Sequence, residues 1–174
     1  MEPSNFNPEK AINSALYVAS RLERSDYHKL FKILYFADGA HLSRWGRTVT
    51  EDRYVAMPYG PVPSGLYDVF KEKERTGSTD TRYGFTVSGK AVYPLRNADM
   101  DVLSESDVQA LDESIEAYGA KSFDELTHLS HGSAWANTAR GGLISFRDMM
   151  IERGESEEYA AYADEQMRLQ YVEL

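Results

Sequence analysis

The stretch LFKILYFADGAHLSRW, residues 30–45, decides the fold because apolar residues recur in it at helical spacing. We expect a helix that begins at Ser25–Asp26 and continues to about Arg44. Its apolar face consists of Tyr27, Leu30, Phe31, Leu34, Tyr35, Leu42 and Trp45. At about 100° per residue, Asp38 and His41 fall on that same face. A carboxylate and an imidazole on the core side of a helix therefore need an explanation.

Two interpretations of Asp38 and His41 are open. The residues are three positions apart and can touch on one helix face, so they could act as an acid–base pair. Alternatively they form a hydrogen-bonding node, because a buried polar group without a partner costs roughly 1–3 kcal/mol. We favour a node that ties the helix to residues 58–64, where three prolines without amide hydrogens should form a stiff loop.

Turn and capping signals predict the remaining elements. In chain order we expect helices at about 8–22, 25–44 and 63–73, a strand at 53–57, the loop at 58–64, a hairpin from 82–87 and 91–95, and helices at about 104–119, 122–129, 145–152 and 155–170. The sum predicts an α+β single domain, 1–174, that is mostly helical with a small antiparallel hairpin. Its core should span about 8–140, followed by an acidic helical extension at about 143–174.

Charge is distributed unevenly along the chain. Residues 1–97 carry 14 Lys and Arg against 11 Asp and Glu, whereas residues 98–174 carry 5 against 17, a balance of −12. An acidic surface repels nucleic acid and favours a basic partner. A DNA-binding second helix would offer only Lys29, Lys32 and Arg44 as an exposed basic face, so we expect no direct contact with nucleic acid.

Composition excludes several kinds of site. The chain has no Cys, which rules out disulfides, thiolate zinc sites and thiol catalysis. No apolar run approaches the ~20 residues of a membrane-spanning helix. Residues 1–5 lack the features of a signal peptide. We therefore expect a soluble cytoplasmic protein without a membrane partner.

Asp124, His128 and His131 have the spacing of one helix face and could supply three metal ligands. Gly132 should end that helix, however, so that His131 leaves the face, and a fourth ligand is not evident. We expect neither a metal nor a cofactor. The sequence RGG at 140–142 could bind an anion, although a glycine pair more often marks a turn.

Two blocks of the sequence carry a family resemblance. The first contains KILYFAD at 32–38 and GPVPS at 60–64; the second contains LSESD at 103–107, LSH at 129–131 and AW at 134–135. With them the chain resembles the Panacea domain of the SocA-like antitoxin family over about residues 10–140. The GPVPS block following the helical block is the most specific part of the resemblance.

The resemblance implies a bacterial or phage protein, associated with prophages and phage defence, that neutralises a cognate protein toxin by direct binding. Such toxins often act on tRNA or translation. A proteolytic adaptor that delivers the toxin to a ClpXP-type protease is the alternative, and an enzyme using Asp38 and His41 is a third hypothesis. The expected partner is a basic toxin, and a homo-oligomer is compatible with the sequence.

A neutralising domain should keep its core constant and vary its exterior. We therefore expect the motif residues to form the scaffold: Asp38, His41, Arg47, Gly60, Pro61, Pro63, Tyr67, His131 and Trp135. We expect partner binding from exposed aromatic residues near the loop and from the acidic C-terminal helices. These residues are Trp45, Tyr54, Tyr59, Glu155, Glu157, Glu158, Tyr159 and Tyr162.

Overall fold

Helix α2, Tyr27–Trp45, is the element around which the other helices pack. It begins where the Asp26 side chain accepts a hydrogen bond from the amide of Lys29, and it ends at Gly46 in a left-handed conformation. The predicted apolar face is buried except for Trp45, which is 58% exposed. Lys32, predicted on an exposed basic face, is buried, because neighbouring elements cover α2 on more than one side.

The computed structural model describes residues 6–77 and 81–172, with side chains up to residue 169, so the expectation for residues 1–5 lies outside the described residues. The elements are α1 Pro8–Ala19, α2 Tyr27–Trp45, β1 Tyr54–Met57, β2 Gly60–Pro63, α3 Ser64–Thr76, a 3-10 turn Arg82–Gly84, β3 Phe85–Ser88, β4 Ala91–Pro94, α4 Glu105–Tyr118, α5 Phe123–Ser130, α6 Ser133–Ala136, α7 Phe146–Glu152 and α8 Glu157–Val172. This arrangement confirms the prediction of a mostly helical α+β domain.

The stiff loop predicted at 58–64 is wrong, because residues Gly60–Pro63 form strand β2 and pair antiparallel with β1. Tyr54 and Ala56 direct their backbone groups away from β2, toward residues 141–144. Since hydrogen-bonding direction alternates along a strand, the prolines of β2 occupy positions that need no amide hydrogen for this ladder. Strand β2 ends at Pro63, so α3 begins at Ser64, one residue later than predicted.

The second hairpin, β3–β4, was predicted from the sequence and is present. Pro94 lies at the end of β4, where a missing amide hydrogen costs little. The bridge between Asp26 and Ala91 joins this hairpin to the start of α2. Residues 6–77 and 81–172 therefore contain two separate two-stranded sheets, each attached to α2 or its flanking residues.

The buried apolar residues form two clusters that share α2. One cluster joins the first part of α2 to α1, α3, α4 and the β3–β4 hairpin. The other joins Tyr35 and Leu42 of α2 to β1, α6, α7 and α8. Residues 141–144 also cover the outer edge of β1, with the Ile144 amide donating to the Tyr54 carbonyl at 2.8 Å. Helix α7 thus packs directly on α2, and α8 packs on α7. The division into core and extension stays a prediction.

None of the helices within residues 6–77 and 81–172 combines the length and apolar character that crossing a bilayer requires.

Candidate functional site

Asp38 is fully buried and accepts hydrogen bonds from three residues that follow α2 in the chain. The amides of Val49 and Thr50 lie 2.7 and 2.9 Å from Oδ1, and the hydroxyls of Thr50 and Tyr54 lie 2.5 and 2.6 Å from Oδ2. Burial raises the pKa of Asp38 to about 6, and the hydrogen bonds from Thr50 and Tyr54 oppose that rise. Asp38 is therefore a node, but it holds residues 49–54 and not the predicted 58–64.

Tyr54, predicted as an exposed partner-binding aromatic residue, is 1% exposed. Its hydroxyl donates to Asp38 and its ring packs against Tyr35 at a centroid distance of 5.2 Å. The prediction was wrong because strand β1 lies between α2 and the C-terminal helices, and its alternate residues point into that core.

His41 has a different set of partners. Its Nδ1 lies 2.7 Å from the carbonyl oxygen of Arg47, which can only accept, so Nδ1 carries the hydrogen. Its Nε2 then accepts from the hydroxyl of Ser106 at 2.9 Å. Burial lowers the pKa of His41 and favours this neutral form. Among the described residues no hydrogen bond joins Asp38 to His41, so the acid–base interpretation has no geometric support.

Asp107, the N3 residue of α4, is the second buried carboxylate of this region. It accepts from Lys10 Nζ, from Arg47 Nη1 at 3.0 Å and from the amide of Ser104 at 2.9 Å. Burial raises the pKa of Asp107, but the hydrogen bonds from Lys10 and Ser104 outweigh it and hold the pKa below its usual range. Arg47, predicted as a scaffold residue, thus connects the end of α2 to α4.

A third carboxylate, Asp52, caps α3. Pro63 precedes that helix and has no side-chain hydrogen bond to offer, so the first amides need another acceptor. The Asp52 carboxylate accepts from the amides of Gly65 and Leu66 at 3.0 and 2.9 Å. Tyr67, predicted as a scaffold residue, follows on the same helix and packs edge-on against Phe31.

The side chain of Lys32, on α2, contacts the β1–β2 hairpin through a hydrogen bond. The Lys32 ammonium donates to the carbonyl of Pro61 at 3.0 Å, and burial lowers its pKa to about 7. Gly60 has φ of 112°, and a Cβ there would lie 2.6 Å from Lys32 Cε and still closer to Ser130 Oγ. Gly60 and Pro61 therefore allow the hairpin to lie directly on the helix that carries Lys32.

Trp135 supports the other side of the hairpin. Its Nε1 donates to the carbonyl of Met57 at 2.7 Å. Its ring stacks on His131 at a centroid distance of 3.7 Å, and the guanidinium carbon of Arg140 lies 3.5 Å from the ring centroid. Burial lowers the pKa of His131, which favours the neutral ring in this stack. His131 and Trp135, predicted as scaffold residues, thus hold the end of the hairpin.

Tyr59, at the turn of the hairpin, extends this aromatic cluster to α5. Its ring lies 5.5 Å from that of Phe123, which stacks on His28 at 3.8 Å. Tyr59 is 63% exposed, Phe123 48% and Met57 37%. We call the surface formed by Met57, Tyr59, Phe123, Trp135 and Arg140 the tip surface. Met57, Phe123 and Arg140 were not predicted as partner-binding residues. The sequence signals that could have indicated exposure were the turn that follows Met57 and the helix cap Ser122 that precedes Phe123.

Of the other predicted partner-binding residues, Trp45 ends α2, about 20 Å along the helix from Lys32, and the remaining five lie just before or on α8. Trp45 and Tyr162 are exposed, and Tyr159 is half-buried. Glu155 accepts from the hydroxyl of Ser43, and Glu157 pairs with Arg147 at 2.5 Å. Glu158 is exposed. Two of the three predicted carboxylates are therefore already engaged within the chain.

The part of the chain that the structure describes contains no group of three or more His, Asp or Glu side chains placed to hold a metal ion. Of the three residues with ligand spacing, His131 is turned onto Trp135, while Asp124 and His128 are exposed on α5. This separation follows from the end of α5 at Ser130.

Comparison with known proteins gives one match. Residues 30–136, more than half of the chain, match the family model described as antitoxin SocA-like, Panacea domain. No curated protein and no solved structure matches the chain. The matched range contains the Asp38 node, the β1–β2 hairpin and Trp135, whereas Arg140, α7 and α8 lie beyond it.

Proposed function

Because this chain belongs to the SocA-like antitoxin family with the Panacea domain, we propose that it neutralises a cognate protein toxin by binding it directly. The tip surface is the observation that carries this proposal. Its aromatic residues and methionine expose apolar area to solvent, which contributes little to folding and fits a contact with another protein. Aromatic residues, Met and Arg are also the types that are enriched at the centres of protein interfaces.

The rigidity of the hairpin supports binding by this surface. The carbonyls of Met57 and Pro61, on either side of the turn, accept hydrogen bonds from Trp135 and Lys32. The outer edge of β1 is covered by residues 141–144. A surface that is already ordered loses little conformational entropy on binding, so more of the contact energy appears as affinity.

The test is a comparison of two exposed tyrosines in a complex with the protein of the neighbouring gene. Tyr59→Ala removes the most exposed of the large hydrophobic residues in the tip surface, and Tyr93→Ala removes a tyrosine that is 53% exposed on the β3–β4 hairpin. Growth on co-expression, recovery of the complex and its Kd by calorimetry are measured. We expect Tyr59→Ala to weaken binding at least about 30-fold, as for an interface hot spot, with an unchanged melting temperature.

Tyr93→Ala should change the Kd less than about twofold, as for a residue outside the interface. A toxic neighbour that is neutralised without forming a complex, and only when a ClpXP-type protease is present, would replace direct blocking by the adaptor alternative. A harmless neighbour that forms no complex would overturn the antitoxin proposal.

We also propose that the toxin is basic, acts on tRNA or translation, and is attracted by the acidic second half of the chain. Glu158 is exposed, so Glu158→Lys tests this attraction without breaking the contacts of Glu155 and Glu157. Long-range attraction acts mainly on the association rate. We expect slower association at low salt and a weaker dependence on ionic strength for this variant. An unchanged association rate would remove the electrostatic part of the proposal while leaving the tip surface intact.

A further inference from the structure

Arg140 is placed as a fixed cation at the edge of the tip surface. Both of its hydrogen bonds come from Nη2, which donates to the carbonyls of Trp135 and Thr138 at 2.7 and 2.8 Å. Its guanidinium also lies over the Trp135 ring. Within residues 6–77 and 81–169, Nη1 and Nε of Arg140 have no hydrogen-bond partner, and the side chain is exposed. The guanidinium is thus held in place while part of its donor capacity remains for a ligand.

Arg140 is an isolated cation within the acidic half of the chain. Arg140 is the only Lys or Arg between Lys121 and Arg147. Two imidazoles, those of His28 and His131, stack on rings of the tip surface, and burial lowers the pKa of both. Burial thus favours the neutral form of both imidazoles, and the guanidinium of Arg140 is the cation that lies over the Trp135 ring.

We propose that the tip surface binds a toxin segment in which an apolar side chain is flanked by a carboxylate, with the carboxylate on Arg140 and the apolar side chain against Met57 and Tyr59. This inference rests on the proposed function and specifies the partner chemistry of the same surface. Because Nη2 already donates twice, the guanidinium can offer a carboxylate one charge-assisted hydrogen bond, from Nη1 or from Nε, together with its positive charge. A single carboxylate at this contact is compatible with a toxin that is basic overall, because the attraction by the acidic half acts at longer range.

Charge complementarity excludes a Lys or Arg of the toxin at the contact with Arg140. A Lys or Arg of the toxin placed on the same spot would meet a guanidinium that has no carboxylate partner among the described side chains. Like charges brought together at an interface lower the affinity strongly. Asp124, the nearest carboxylate in sequence to Phe123, belongs to the first turn of α5, where it faces the positive end of that helix.

The experiment measures the Kd of the purified complex with the protein of the neighbouring gene for a set of charge variants. Arg140→Glu reverses the charge at the proposed contact, and Arg140→Met removes the charge but keeps an apolar stem over the Trp135 ring. Arg168→Glu, on α8, changes the net charge equally at an exposed position away from the tip surface and is the matched control. Melting temperatures identify any variant that fails to fold.

We expect Arg140→Glu to weaken binding at least about 30-fold and Arg140→Met about 10-fold, against less than about threefold for Arg168→Glu. Replacing each interface Asp or Glu of the toxin by Asn or Gln should identify one change that weakens binding to the natural chain about tenfold but barely affects binding to Arg140→Met. Such coupling identifies the carboxylate partner.

The outcomes separate this inference from the proposed function. If Tyr59→Ala weakens the complex while Arg140→Glu and Arg168→Glu behave alike, the acidic–apolar segment is wrong and the tip surface stands. The inference is also wrong if the loss of affinity in every Arg140 variant depends on a Lys or Arg of the toxin. If neither Tyr59→Ala nor Arg140→Glu changes the Kd of a complex that does form, the toxin binds another surface and both the inference and the site assignment fail.

Discussion

The Asp38 node and the β1–β2 part of the tip surface lie within residues 38–59 but use their side chains in opposite ways. At Asp38, a carboxylate and its four hydrogen-bond donors are all buried and all satisfied within the chain. At the tip, Tyr59 and Met57 are exposed, although the Met57 carbonyl accepts from Trp135 and the Tyr59 ring packs against Phe123. A family motif can thus contain residues that fold the domain and residues that remain available for a partner, and internal satisfaction of the side chain distinguishes them.

Asp38→Asn should give the largest loss of stability and is the strongest test of this distinction. The amide can accept on only one atom, so at least two buried donors lose a good acceptor, at roughly 1–3 kcal/mol each. We expect a loss of about 3 kcal/mol in the free energy of unfolding, measured by urea denaturation. The folded fraction should bind the toxin with its normal Kd. A variant with natural stability that no longer neutralises the toxin would instead revive the catalytic interpretation of Asp38.

Gly60→Ala should have the next largest effect and tests how the two regions are joined. A Cβ at this φ of 112° is strained and would meet Lys32 and Ser130, so we expect a loss of roughly 2 kcal/mol. Gly154→Ala is the matched control, because Gly154 also has positive φ but has no atoms within 4 Å of the added Cβ. Only Gly60→Ala should also weaken toxin binding, since it displaces the hairpin. Equal losses for both variants would show that the contact with Lys32 is unimportant.

Lys32→Met should change how stability depends on pH. Lys32 has a pKa of about 7 in the folded chain, below its ordinary value near 10.5. Between these values the unfolded chain binds a proton that the folded chain does not, so stability rises with pH, by up to about 1.4 kcal/mol per pH unit. Below about pH 7 both states bind the proton and the cost of burying the charge is complete. We expect Lys32→Met to remove this rise in urea titrations from pH 6 to 10. A profile parallel to that of the natural chain would mean that Lys32 keeps its charge when buried.

Among the four substitutions of buried or half-buried residues, Trp135→Phe should have the smallest effect on stability. Phe keeps a ring to stack on His131 but cannot donate to the Met57 carbonyl, which costs roughly 0.5–1.5 kcal/mol. The more sensitive measurement is the Kd of the toxin complex, because a less fixed hairpin pays more entropy on binding. A Kd that stays unchanged at reduced stability would show that rigidity of the tip is not needed for recognition.

The elements that the sequence predicted well depend on contacts within one helical turn. The caps at Asn7, Asp26, Ser104 and Ser122 are present, since each side chain accepts from an amide three residues later. The exposure of Tyr59 also followed from its place in a turn. The end of α1, by contrast, was predicted about three residues too late, because no local sequence signal marks it as clearly as the N-cap Asn7 marks the start.

The errors concern positions whose environment is supplied by distant parts of the chain. Strand β2 was missed because prolines exclude a strand only when their nitrogens face the ladder, and that depends on which strand pairs with which. Tyr54 and Lys32 were taken as exposed because their burial comes from segments far along the chain. Arg140 was recognised as a candidate anion-binding residue, but only packing placed it over Trp135.

The sequence by itself determined the family, the helical character and the presence of a polar pair on the core face of α2, because spacing and caps act over a few residues. Tertiary structure alone decided that Asp38 holds residues 49–54, that His41 pairs with Ser106, and that Tyr59, Phe123 and Trp135 meet on one surface. The physical reason is that hydrogen-bond partners and solvent exposure are properties of the packed chain, in which residues 117 positions apart, such as Tyr35 and Glu152, become neighbours.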